Sequence, residues 1–246
     1  MLSIAMPVFQ NVHLTVQAVE NLLLTDVDFE LIVVDNASTD GTAEYLESKD
    51  IRVIANSINM GIGPAIDQGF QVAKGDYLAF VCNDMIAHPS TFRKMLKVDA
   101  YCVTTRFTRQ EMPSDWWEQA QKIIDEPLSW RIIGPPCPPY LTEDQMMGGF
   151  WVITRKAYEE LGAFAPELPA WYGDVDMWCR YRRAGHPVVQ VNTLIHHFES
   201  QTTCKVPGTN TPHPLDAQKI FETIWGPVEQ ICESKVAESA TIKTLI

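Results

Sequence analysis

Along roughly the first eighty residues, short apolar runs alternate with apolar positions at helical spacing. Residues 2–6 are an apolar run stopped by Pro7, and residues 12–24 then place Val12, Val16, Val19, Leu22 and Leu23 on one helical face. Residues 30–34 read as a second strand. The polar loop Asp35-Asn36-Ala37-Ser38-Thr39-Asp40-Gly41-Thr42 follows and opens a helix running through Leu46, with Asp40 or Thr39 as its cap. A third strand covers 51–55. Asn59-Met60-Gly61-Ile62-Gly63-Pro64 is then a glycine-bearing turn into a helix over 65–73, and a fourth strand spans 77–81 after Gly75-Asp76. Strands taking turns with helices predict an α/β fold: a Rossmann-like, mainly parallel central sheet flanked by helices.

Beyond Asp84 the pattern predicts a helix over 91–96 and a strand over 100–105. Between 106 and 147 it loosens. Pro113, Pro127, Pro135, Pro136, Pro138 and Pro139 break regular structure, while Trp116, Trp117 and Trp130 argue for a folded insert with one helix near 114–124. Regular signals return as a strand over 148–153, a helix over 155–161 closed by Gly162, a helix over 174–184 ended by Gly185, and a strand over 187–191 followed by Ile195-His196-His197-Phe198. Residues 207–214 read as a linker, 215–225 as a terminal helix, and the last residues as fraying.

Composition narrows the class. Hydrophobic residues at 46% and charged residues at 20% suit a soluble domain, and no apolar stretch reaches the length of a membrane span. The start lacks a basic region of the signal-peptide kind. A net charge of -12 counts against duplex nucleic acid as a partner. The six cysteines contain no C-x-x-C pair, which argues against a zinc cluster or a disulfide framework and for reduced thiols in a cytoplasm.

Candidate chemistry gathers where strands end. Asp84, in Val81-Cys82-Asn83-Asp84-Met85, follows a buried strand, the position where open α/β sheets bind ligands. Asp35 holds the same position after the second strand, with a turn-capping role as its alternative. Asn59, Gly61 and Gly63 permit close backbone approach to a ligand, or simply make a turn. Asp174 and Asp176 open a helix, where carboxylates also serve as caps. His196 and His197 follow a strand and are either ligands or packing residues. Trp116, Trp117, Trp151 and Trp171 are candidates for a stacking platform or for the core.

In order, Pro7-Val8-Phe9, Val34-Asp35-Asn36-Ala37-Ser38-Thr39-Asp40-Gly41-Thr42, Asn59-Met60-Gly61, Asn83-Asp84, Gly148-Gly149-Phe150, Gly173-Asp174-Val175-Asp176-Met177 and Arg183-Ala184-Gly185 resemble the inverting glycosyltransferase family 2 on the GT-A fold. The likeness runs from Ser3 to about Trp225. It implies one domain over 1–235, with a nucleotide-sugar half over 1–105, an acceptor-side half over 106–235 and a tail over 236–246. It further implies that Pro7, Phe9, Asp35, Asn59, Gly61, Asn83 and Asp84 line the donor. Asp84 and His197 would hold Mn²⁺ or Mg²⁺, and Asp174 would be the general base. The donor would be a nucleoside-diphosphate sugar, UDP-type, and the acceptor a glycan or lipid-linked saccharide. Four departures stand out: Phe9 replaces the family's Tyr, Cys82 replaces the first acid of the metal motif, Gly173 replaces a Glu, and Ile224 replaces the Lys of a tail in which Asp216, Phe221, Trp225 and Gly226 resemble the family's Lys-Trp-Gly ending. Cys82 and Gly173 keep open a degenerate module that binds nucleotide sugar or glycan without turnover. A sugar nucleotidyltransferase would need an Arg- and Lys-bearing phosphate loop after the first strand, and residues 7–11 contain none.

Overall fold

The four apolar runs of the N-terminal half form strands β1 (Leu2–Val8), β2 (Phe29–Asp35), β3 (Arg52–Ala55) and β4 (Tyr77–Val81), joined by helices α1 (Val12–Leu22), α2 (Thr42–Glu47) and α3 (Ile62–Val72). They lie in the order β3-β2-β1-β4, all parallel. Every residue of β1 is buried, so its sequence carries no polar alternation. The computed structural model describes residues 1–109, 111–134, 148–168, 171–198, 214–228 and 243–244.

The second half adds β5 (Met85–Ala87), α4 (Thr91–Met95), β6 (Val98–Asp99), β7 (Cys102–Arg109), α5 (Trp116–Asp125), β8 (Trp130–Ile132), β9 (Phe150–Thr154), α6 (Arg155–Leu161), α7 (Gly173–Arg183), β10 (Val188–His197), α8 (Pro214–Trp225) and β11 (Lys243–Thr244). The main sheet continues β4-β9-β7-β10-β5, with β8 on β10. Here the parallel expectation gives way, because β9 runs antiparallel to both β4 and β7, and β5 and β8 run antiparallel to β10. The sheet is therefore parallel on its N-terminal side and mixed beyond β4.

Alternation of side chains assigns the helices to faces. Ile4, Met6, Val81 and Val152 face α1 and α4, whereas Ala5, Phe80, Trp151 and Ile153 face α3, α6, α7 and α8. A Cβ on Gly69 would lie 2.7 Å from the Cβ of Ala5, so α3 sits directly on β1. Trp116 is fully buried with Ile86, Ala120 and Leu194, which fixes α5 over β10 and β5. Lys94 Nζ donates to the carbonyls of Ile123 at 2.6 Å and Glu126 at 3.0 Å, neutralising the negative end of α5.

Two expected elements change shape. The pieces at 187–191 and 195–198 are one strand, β10, with a register shift between Val191 and Leu194. The polar interruption that split the pattern does structural duty. Thr193 Oγ1 meets Thr105 Oγ1 at 2.5 Å, and the Asn192 amide holds Ser129 and Pro127 of the insert. Residues 243–244, expected to fray, pair antiparallel with β6. The proline cluster at 135–139, the linker at 207–213, and Cys137, Cys204 and Cys232 lie outside the described residues, while Cys82, Cys102 and Cys179 are free thiols. Among the described residues no helix is long and apolar enough to cross a membrane.

Candidate functional site

The loops after β1, β2 and β3 are tied together by side-chain hydrogen bonds. Pro7 is buried in register with Val34, beyond the last β1 residue paired to β4, so its missing N–H leaves no gap on that side. Half-buried Phe9 follows, and Gln10 and Asn11 take left-handed φ values of 55° and 57°. Gln10 N donates to Ser38 Oγ at 2.8 Å, and its carboxamide both donates to Thr39 Oγ1 and accepts from Thr39 N. Asp40 bridges two helix starts: Oδ2 accepts Val12 N at 2.8 Å, and Oδ1 accepts Thr42 N and Oγ1. Burial alone would raise its carboxyl pKa, but hydrogen bonds from Thr42 and Val12 outweigh that and hold it low.

Asp35 is 4% exposed at the end of β2. Its Oδ1 accepts Ser38 N at 3.0 Å, an Asx turn, while Oδ2 takes no hydrogen bond from the described residues. The two readings of this residue coexist: one oxygen shapes the loop and the other is available. Asn59 Oδ1 accepts Gly61 N at 2.9 Å, and Gly61, at φ 86°, returns its carbonyl to Asn36 Nδ2 at 3.1 Å. Asn56 continues the chain, donating to Asn36 Oδ1 and exchanging hydrogen bonds with Gln68. Sequence reasoning assigned no role of their own to Asn36, Asn56 and Gln68. Asn36 follows β2, Asn56 follows the largely exposed β3 and Gln68 lies within α3, and a polar side chain at such places is what any turn or helix surface also shows.

The second cluster forms where β4 leaves the sheet. Asp84 is 6% exposed, and its carbonyl accepts Phe198 N at 2.9 Å. Antiparallel pairing sets His197 opposite Met85, and His197 Nε2 lies 3.3 Å from Asp84 Oδ2. His196 projects to the other side, with Nδ1 2.9 Å from Thr108 Oγ1 and its ring edge-on to Phe198. Residues 199–202, which set the expected spacing after His197, lie outside the described residues. Asn83 donates to Thr15 Oγ1 of α1 at 3.1 Å, so its amide braces the loop.

Asp174 stands in the first turn of α7 with Oδ1 accepting Val175 N at 2.9 Å. A Cβ on Gly148 would lie 2.1 Å from Asp174 Oδ2, and one on Gly149 would lie 2.3 Å from Met85 Cε and 2.9 Å from Cys82 Sγ. The Gly148-Gly149 pair is thus a demand for space, since any side chain there would displace the carboxylate or the thiol. Burial pushes the Asp174 carboxyl up to about 6, against the pull of the Val175 amide. Burial also pushes the Cys82 thiol well above its ordinary value, and the carboxylates of Asp84 and Asp174 add to the effect. Cys82 is therefore a neutral spacer between two acids rather than a thiolate ligand.

The neighbouring acids and bases are structural. Asp176 is 3% exposed and accepts Arg180 Nε at 2.7 Å and Trp225 Nε1 at 2.9 Å. Arg180 also donates to the carbonyls of Leu161 and Ala163, and Arg183 lies over Trp225. A Cβ on Gly173 would lie 2.7 Å from both Leu168 O and Phe164 Cδ2, which explains why a Glu has no place there. Trp116 and Trp151 belong to the core, while Trp117 is 43% exposed. Among the described residues no group of three or more His, Cys, Asp or Glu side chains could hold a metal ion. Asp84 and His197 still converge as one oxygen and one nitrogen donor, a partial shell that fits an ion completed by ligand oxygens and water.

Dolichol-phosphate mannosyltransferase of Saccharomyces cerevisiae is 28% identical over 138 residues, 53% of this chain and 50% of that protein, so the chain spans about half the length of this relative. The mannosyltransferase PcManGT of Pyrobaculum calidifontis, solved with GDP-Man and Mn²⁺, aligns with a TM-score of 0.58 at 16% identity, covering 80% of this chain and 56% of its own. S. aureus TarS 1-349, solved with UDP-GlcNAc, aligns with a TM-score of 0.61 at 11% identity over 95% of this chain and 68% of its own. Both likenesses support the GT-A fold. The family described as glycosyl transferase family 2 matches residues 3–162. With most of its length so matched, the chain belongs to glycosyl transferase family 2.

Proposed function

We propose that the protein transfers a sugar from a nucleoside-diphosphate donor, UDP-type, to a hydroxyl of a glycan or lipid-linked saccharide, with inversion and with Asp174 as general base. The observation that carries this reading is the approach of two acids to Cys82: Asp84, which lies 3.3 Å from His197, and Asp174, whose carboxylate is pressed against Gly148. Family membership and neighbours solved with nucleotide sugars support the donor class. The name of the yeast relative, which contains dolichol phosphate, supports a lipid-linked acceptor and does not speak to a saccharide hydroxyl.

Asp35 Oδ2 accepts an N–H of the base, and Phe9 offers a ring to stack on it. Asp84 and His197 would hold Mn²⁺ or Mg²⁺, which offsets the charge of the departing diphosphate. Asp174 takes the proton of the acceptor hydroxyl as that oxygen bonds to the anomeric carbon, on the face opposite the breaking bond to the nucleoside diphosphate. A carboxyl near 6 is ionised at neutral pH yet basic enough to accept that proton.

Thermal melts with UDP-, GDP- and dTDP-sugars, with and without Mn²⁺, test the donor, since a ligand of the native state raises the melting temperature. A UDP-sugar shift that grows with Mn²⁺, together with loss of nucleoside-diphosphate release in Asp174→Asn, is expected. Undiminished transfer by Asp174→Asn would overturn the mechanism. Cys82 and Gly173 favour a second reading, a module that binds donor without turnover, and its mark would be a melting shift with no release under any metal.

A further inference from the structure

We propose that Trp225 is a positioning residue for Asp174, so that α8, which lies beyond the matched residues 3–162, completes the mount of the base. The inference rests on the reading of Asp174 as that base. Asp174 occupies the first turn of α7, and α8 grips this turn on both sides of it. On the N-terminal side, Tyr172 caps α7 at φ 63°, a left-handed conformation that costs a non-glycine residue about 1 kcal/mol or more and persists only where the surroundings enforce it. Phe221 of α8 stacks on that ring at 5.4 Å between centroids. On the C-terminal side, Trp225 Nε1 donates to Asp176 Oδ1 at 2.9 Å while Arg180 takes Oδ2 at 2.7 Å, so both oxygens of a buried carboxylate are held.

Asp174 has little tolerance for movement of this turn. Its Oδ2 lies where a Gly148 Cβ would be, and displacement of a catalytic group by about 1 Å costs on the order of 100-fold in rate. Removing the indole N–H leaves a buried carboxylate oxygen short of a donor, and the turn must shift or open to satisfy it. Among the described residues the Trp225 indole donates to Asp176 and not to Asp84 or the loops at Asp35 and Asn59, so donor binding should survive its loss.

The test compares Trp225→Phe with the unaltered protein in nucleoside-diphosphate release from the donor that gives the largest melting shift. Expected are a fall in kcat of about ten- to a hundredfold, a donor KM within about twofold, and an acid limb of the kcat/KM profile moved to lower pH as water reaches Asp174. Phe221→Leu, which keeps the indole hydrogen bond and removes the stack, should show the same split if Trp225→Phe does not fold. Wild-type kcat and acid limb in a folded Trp225→Phe would overturn the proposal, as would equal losses of kcat and donor binding. Full activity in Asp174→Asn would instead remove the underlying reading, which separates the two failures.

Discussion

Asp174 carries its own pH signature. Its carboxyl sits at about 6 in the fold, against about 4 in an unfolded chain. Below about pH 4 both states hold the proton and nothing is lost. Between about 4 and 6 the unfolded chain releases its proton first, so the fold loses stability as pH rises, and above about 6 the full cost, about 3 kcal/mol, is present. Asp174→Asn should therefore unfold at higher urea than the parent at pH 7, by up to about 3 kcal/mol, and match it at pH 3.5. Equal gains at both pH values would place the effect elsewhere. Gly148→Ala makes the complementary prediction: its methyl overlaps Oδ2, so turnover should fall by at least tenfold while donor-induced melting shifts persist. At this scale Asp35, Asp84 and Asp174 were readable because each ends a strand or opens a helix. The poverty of acids around them was readable as Cys82 and Gly173, yet its reason was not, since the carbonyl of Leu168 that excludes a larger residue at 173 is a contact across a turn.

Elements decide which histidine meets the carboxylate. In β10 adjacent side chains alternate, and pairing with β5 sends His197 to Asp84 and His196 into a packed cluster with Trp116 and Phe198. His197→Ala should abolish the dependence of donor-induced melting shifts on Mn²⁺ and leave the melting point of the free protein within a few degrees. His196→Ala should do the reverse, costing about 1–3 kcal/mol of stability in urea melts while the Mn²⁺ dependence persists, because His196 is fully buried. Exchange of these two outcomes would mean that the ion lies on the other side of the strand. The elements themselves were largely visible in the sequence, since apolar runs such as 30–34 and 77–81 admit few other readings. Direction was not: β9 is as apolar as a parallel strand, and burial on both faces looks the same whichever way the chain runs. β10 was split in reading because Asn192 and Thr193 are polar, and both are spent on contacts across the strand rather than on a turn.

At the scale of the whole molecule, the proposed site is divided along the chain: Asp35, Asn59 and Asp84 come from the first 105 residues, and Asp174 and His197 from beyond the family match at 162. Under the proposed function a chain of net charge -12 would receive a diphosphate and have to compensate two sets of negative charge, and among the described residues Asp84 and His197 are the pair proposed to meet the ion. Two protein donors leave most positions of a six-coordinate ion to water, so Mn²⁺ should bind the free protein only in about the millimolar range. Diphosphate oxygens would supply the remaining ligands, and linkage then requires that nucleotide tighten Mn²⁺ by the same factor that Mn²⁺ tightens nucleotide. Calorimetry of Mn²⁺ into the free protein and into protein saturated with UDP should show at least a tenfold gain, mirrored in UDP titrations with and without Mn²⁺. Micromolar Mn²⁺ binding to the free protein, unchanged by UDP, would mean that the ion has a complete protein shell, and the pairing of Asp84 with His197 would lose its place at the centre of the site.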